Sequence, residues 1–264
     1  MAFGNGVLMR SKGFWAWARD DGSVLHGSVT TVLDSSRLLR VPVLRSIVTF
    51  AEMIVFTLAR HRQNGARAGL RVMLWLGAYV AVCLAMSWML TVLRQDGLVV
   101  NVLVQALTLV LGIAALRFGM GSEVWRYHGA EHKAVNAFEA GVSLDETEEV
   151  MRHSRVHERC GTNLMVIMLG LMLVYLPLQS MPFAQAAGGL YTLLAVALAF
   201  ELFRFLTRRP HALVTKAVLF GGKTMQRLVT TREPSAPQLE LACAALSRVL
   251  ELEAINVEPS PSEA

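Results

Sequence analysis

The chain has 264 residues, of which 54% are hydrophobic and 17% charged, and its mean hydropathy is +0.45. An ordinary soluble domain carries roughly 25% charged residues, so this composition excludes a disordered, collagenous or disulfide-stapled chain. The net charge is +5, but the positive residues flank apolar runs instead of clustering with base-stacking aromatics, so nucleic acid is not expected as a partner.

The opening stretch, Met1 to Gly13, is short, Gly-rich and polar, with no apolar region before a cleavage site. No secretory signal is expected there, and insertion is expected to start at the first internal membrane helix. Val41 to His61 has a long apolar face broken by Arg45 and Glu52, with Pro42 well placed for a helix start. An interfacial or re-entrant helix is expected over 41–61, within an N-terminal cytoplasmic segment 1–68.

Four apolar runs follow: Leu70 to Leu93, Leu98 to Leu116, Leu164 to Pro182 and Ala184 to Leu206. A membrane span needs about 20 residues at 1.5 Å rise to cross about 30 Å of hydrocarbon. The linkers Arg94–Gly97 and Met181–Ala184 are too short for anything but tight turns. The fold class expected is therefore all-α: a polytopic membrane protein whose four transmembrane helices form two hairpins, 69–116 and 164–206. A polar segment, 117–163, lies between them. Lys and Arg concentrate before the first run, in the middle segment and after the fourth run, while the hairpin tips hold only Arg94. The positive-inside rule then gives a multi-pass protein of the inner (cytoplasmic) membrane, N-in and C-in. The last segment, 207–264, reads as an interfacial amphipathic helix over His211–Thr230 and a soluble amphipathic helix over Pro237–Ala254.

The three cysteines, Cys83, Cys160 and Cys243, form no CxxC pair, and a disulfide framework is not expected. The scattered methionines read as packing residues.

The chemistry concentrates in the middle segment. Tyr127-His128-Gly129-Ala130-Glu131-His132-Lys133 contains the His-x-x-Glu-His pattern of inverse zincins. On a helix, His128 and His132 share a face, and Glu131 lies about 60° from the first and about 100° from the second. Two imidazoles can bind one metal while the carboxylate takes a proton from water on it. Asn136 and Glu139 fall near the same face and can orient the ligands. His153, His157 and Cys160 follow at helical spacings of four and three, with His153 the weakest member. A set of His128, His132, His157 and Cys160 suits Zn²⁺; four protein ligands would make a closed structural site, three an open catalytic one. A hydrogen-bonded polar cluster without metal is the plainer alternative. Glu201, near the end of the fourth run, is a further candidate: a ligand, a partner of Arg204 or Arg45, or a side chain reaching the interface.

At these residues the chain resembles a family. Tyr127 to Glu139 is similar to the signature of the YqhQ-like membrane proteins, bacterial proteins of unknown function described as predicted metal-dependent enzymes. Arg155 to Gly161 resembles their second signature. Weaker likenesses run through Gly6–Ser11, Val41–Arg45, Phe200-Glu201 and Thr230–Pro234. The resemblance implies that His128, Glu131, His132, His157 and Cys160 belong to one site, and it supplies no substrate. His153 does not match the family signature. The N-terminus departs as well, with Phe3–Gly6 in place of a longer Gly-rich element and Lys12-Gly13 where Ser-Pro is commoner.

The function expected is a zinc-dependent membrane hydrolase at the cytoplasmic membrane face, with Glu131 as general base. Its substrate would be a membrane-embedded peptide or a lipid-linked group. The alternative is a non-catalytic membrane scaffold or assembly protein with a structural metal and a protein partner. A transporter ranks third, since little besides Glu201, Asn101 and Gln105 is polar in the runs.

Overall fold

The computed structural model describes residues 1–29, 41–63, 98–175, 188–209 and 211–257, together with Gly77 and Ala81. The chain divides into two compact units, each assembled from separate stretches. One comprises residues 1–32, 121–157 and 226–264; the other comprises 33–120 and 158–225.

The first unit opens with four antiparallel strands in the order β1-β2-β3-β4: β1 Ala2–Phe3, β2 Gly6–Arg10, β3 Phe14–Arg19 and β4 Val24–Ser28. The β3 sequence alternates small and large side chains, which suits a sheet with two different faces. Ala16 and Ala18 join Val7 and Met9 in the core, while Trp17 meets the Phe3 ring at 4.9 Å. The β3–β4 turn uses Asp21-Gly22: Gly22 has φ 82°, and Asp21 Oδ1 accepts the Ser23 amide at 2.9 Å.

Two helices, α3 (Ser122–Glu139) and α8 (Ala236–Val257), cover the small-residue face of this sheet, and α4 (Thr147–Arg152) packs on both helices. Along α3, Ala130, Ala134 and Ala137 repeat at helical spacing and are fully buried. Small side chains let α8 approach closely with Leu239, Ala242, Ala245 and Val249. Each fully buried leucine-sized side chain in such a core stabilises by about 1.5–3 kcal/mol. At about 100° per residue the alanine stripe lies roughly opposite His128, His132 and Asn136. One helix thus spends one face on packing and keeps the other for chemistry.

Cys243 sits in this core on α8. Burial first, and then Asp145 and Glu240, push its thiol up to about 11. At pH 8 about one molecule in a thousand carries the thiolate, so iodoacetamide should label Cys243 about 100-fold more slowly than a free cysteine. A mass-spectrometric time course of alkylation checks this; labelling at the free-cysteine rate would show that the α8 core opens readily.

The second unit contains α1 (Pro42–Gln63), α2 (Leu98–Gly119), α5 (Gly161–Tyr175), α6 (Gly188–Thr207) and α7 (Leu213–Met225). Helix α6 packs on α1 and α5, and α7 packs on α5 and α6. The core there is formed by Ile167, Ala199 and Leu206. Glu201 on α6 is tied to α1: Arg45 Nε donates to its Oε1 at 2.8 Å, Arg45 Nη2 donates to Oε2, and Ser46 Oγ donates to Oε1 at 2.6 Å. Arg204 Nη1 adds a longer contact at 3.5 Å. A carboxylate flanked by two guanidinium groups and a buried hydroxyl is well compensated for its partial desolvation.

The all-α, four-span reading is corrected here. The first 28 residues build a four-stranded sheet, and no single helix among the described residues is long and apolar enough to cross a membrane. Helix α6 carries Glu201 and Arg204, whereas a span needs about 20 residues nearly free of charge. The run Leu70–Leu93 and the linkers Arg94–Gly97 and Met181–Ala184 lie outside the described residues, apart from Gly77 and Ala81.

Candidate metal centre

Helix α3 carries the first three site residues. His128 and His132, one turn apart, have ring centroids 4.4 Å apart. His128 Nδ1 lies 2.6 Å from the Thr230 carbonyl oxygen, and His132 Nδ1 lies 2.8 Å from that of Arg155. A carbonyl only accepts, so both rings donate from Nδ1 and the neutral tautomer carries its lone pair on Nε2. This is how ligating histidines are usually held, with one ring nitrogen anchored on a backbone oxygen so that the other is aimed.

Glu131 lies between them. Its Oε1 is 2.8 Å from the α-ammonium group of Met1, which also donates to the Leu8 carbonyl at 2.6 Å. Its Oε2 is buried and takes no hydrogen bond among the described residues. Burial raises the Glu131 carboxyl, but the Met1 ammonium, and His128 and His132 when protonated, outweigh it and hold the group below its ordinary value.

The loop after α4 brings the third imidazole. His157 has its ring centroid 5.9 Å from that of His132, and its Nε2 lies 3.3 Å from Glu139 Oε2. Its backbone is bracketed by Gln226, which accepts from the His157 amide at 2.8 Å and donates to its carbonyl at 3.1 Å. Gln226 is fully buried and begins a single π-helical turn, Gln226–Thr230. Widened turns of this kind recur at functional sites, and this one delivers the Thr230 carbonyl to His128. Asn136 donates from Nδ2 to Ser154 O at 2.7 Å and Val156 O at 3.1 Å, which pins the same loop from α3.

Lys133 belongs to this scaffold too. Its buried ammonium donates to the carbonyls of Met151 (2.6 Å) and His153 (2.8 Å) and pairs with Glu233 at 3.0 Å. It fastens both the 151–155 loop and the segment after Thr230, the two stretches whose carbonyls hold His132 and His128. Gly129 makes that possible, because a Cβ there would stand 2.0 Å from the Arg232 carbonyl oxygen.

One unit therefore gathers His128, Glu131, His132, Asn136, Glu139 and His157. His153 ends α4, and its part is the carbonyl that receives Lys133. Cys160 belongs to the second unit, where it is buried with its Sγ 3.2 Å from Thr162 Oγ1. Glu201, also in that unit, is engaged by Arg45, Ser46 and Arg204. The positioning parts that sequence reading missed are Lys133, Gln226, Glu233 and the Arg155 and Thr230 carbonyls. The family likenesses touch Lys133, Arg155, Thr230 and Glu233 without giving them a role, and Gln226 lies outside them.

The donor set suits a metal. Two imidazoles present Nε2 lone pairs from adjacent turns, and a buried carboxylate oxygen beside them lacks a donor. Imidazole nitrogen and carboxylate oxygen are ordinary zinc ligands, and an orphaned buried acceptor is satisfied by a cation or a water molecule.

Fold and site together define a mixed protein of sheet and helix with an imidazole–carboxylate cluster set on one helix. The chain belongs to the DUF1385 family of proteins of unknown function, whose family model matches residues 41–252. It is similar to the "Uncharacterized protein YqhQ" of Bacillus subtilis (strain 168), 34% identical over 144 residues. That match covers 52% of this chain and 44% of the relative, so it spans less than half of the relative's length. No solved structure matches.

Proposed function

We propose that this chain is a zinc-dependent hydrolase acting at the cytoplasmic face of the inner membrane. The observation that carries the reading is the pair of imidazoles anchored through Nδ1, with the orphaned Glu131 Oε2 beside them. His157, in the same unit, would supply the third ligand, its ring centroid 5.9 Å from that of His132. A bound Zn²⁺ would supply Lewis acidity toward a carbonyl or phosphoryl oxygen. Glu131 then takes the proton of the attacking water on Oε2 and returns it to the leaving group. Asn136, Lys133 and Gln226 keep the imidazoles in place during that exchange.

Exposed apolar side chains support the membrane location. On α2 they include Val99, Leu103, Leu107 and Val110, and on α6 Leu190, Leu194 and Leu198. Apolar stripes of this extent seat against lipid or another apolar surface. The substrate class that fits is a peptide or lipid-linked group presented at the bilayer surface.

The test is Glu131→Gln, with metal content by elemental analysis and function by complementation of a deletion strain. The expected variant keeps its zinc and loses at least about 100-fold of the activity, the usual contribution of a general base. A fully functional Gln variant would overturn the hydrolase reading and favour a structural metal in a scaffold protein.

A further inference from the structure

We infer that the free edge of β4 is a docking site for an extended peptide carrying Lys or Arg at alternate positions. The amides of the β3–β4 pair alternate. Arg19 donates to Ser23 O at 2.9 Å and Val29 donates to Gly13 O at 2.7 Å, so odd-numbered residues of the strand face β3. Val24, His26 and Ser28 therefore turn their main-chain groups outward, and β4 is the last strand in the order of the described sheet. These groups have no partner among the described residues. Proteins usually blunt or cover such an edge; an exposed one pairs readily with an added strand.

The space beside the edge has the right shape. A groove of about 520 Å³ runs along β4, walled by Val24 and His26 on one side and by the loop at Asp145 on the other. Its floor is α8, with Glu240, Cys243 and Arg248. Ala16 and Ala18, which pair with His26 and Val24, face α8. Val24 and His26 thus share that face, and a fifth strand would lie in the groove with every second side chain directed at α8.

Charge selects the occupant. Arg248 is already engaged, donating to Glu251 at 2.8 Å and lying 3.1 Å from His26 Nε2. Asp145 and Glu240 are exposed and form no ion pair among the described residues. The groove-facing positions of an added strand therefore meet uncompensated carboxylates, which favours Lys or Arg there and disfavours Asp or Glu.

The experiment uses the full chain and a labelled acetyl-Thr-Lys-Val-Lys-Val-Lys-Thr-amide peptide, with polarisation for affinity and hydrogen exchange for location. Binding should slow exchange over residues 24–28. The doubly substituted Asp145→Lys, Glu240→Lys protein, altered only at exposed positions, should bind about tenfold more weakly and should prefer the peptide with Glu in place of Lys. A peptide N-methylated at alternate amides should not bind. Equal binding of the methylated peptide would overturn strand pairing and leave only an acidic patch. No binding, or binding without protection of 24–28, would overturn the site. Protection of 24–28 by dimerisation without peptide would assign the edge to a second copy instead.

Discussion

Replacing His132 by alanine should weaken zinc binding at least 100-fold while the protein remains folded. The ring is buried, yet its partners are the Arg155 carbonyl and the neighbouring imidazoles, and it lies on the face of α3 roughly opposite the alanine core. Removing the groups that merely orient a ligand costs 10–100-fold in affinity; removing the ligand itself costs more. Competition with a chelating dye measures the affinity, and circular dichroism reports the fold. An unchanged affinity would remove His132 from the site. It would also remove the reason for its anchored Nδ1, leaving the histidines as a hydrogen-bonded polar cluster. Cys160→Ser in the same assay separates an open site, which keeps its zinc, from a closed one, which loses it.

The second large effect is expected from one methyl group. Gly129→Ala places a Cβ 2.0 Å from the Arg232 carbonyl oxygen, and that contact is with backbone. No rotamer relieves it, so α3 and the segment carrying Thr230 must move apart. Overpacking typically costs 1–3 kcal/mol, and a clash with backbone puts this variant near about 3 kcal/mol. The Arg232 amide, which donates to the Trp125 carbonyl at 2.8 Å, should be strained by the same shift. Urea unfolding measures the loss. Because Thr230 O anchors His128, the variant should also bind zinc more weakly. A neutral Gly129→Ala would show that α3 and the Arg232 segment part without cost to the fold.

These two variants mark what was readable in advance. The His-x-x-Glu-His spacing places two imidazoles and a carboxylate on neighbouring positions of any helix, because 3.6 residues per turn is local geometry. The same holds for Asn136 and Glu139. The N-terminal sheet has a local signal in the alternation of Phe14–Arg19 and in Gly4-Asn5 and Asp21-Gly22 at the turns, whereas the short, Gly-rich and polar character of Met1–Gly13 gives no strand. A run of Leu and Val does not say which charged residues its helix will carry, and α6 carries Glu201 and Arg204.

By itself, then, the sequence determined the helix that bears His128, Glu131 and His132, its division into an alanine face and a histidine face, and the chain's excess of apolar side chains. Tertiary structure alone decided which carbonyls hold the rings. Arg155 O and Thr230 O reach α3 from 23 and 102 residues away, through a loop fastened by Lys133 and a π-helical turn begun by Gln226. Tertiary structure also decided that Glu201 is engaged by Arg45, 156 residues distant. The physical reason is one of range. Helical periodicity is set by neighbours within four residues, whereas a side chain's hydrogen-bond partner is set by which distant backbone the core brings alongside it.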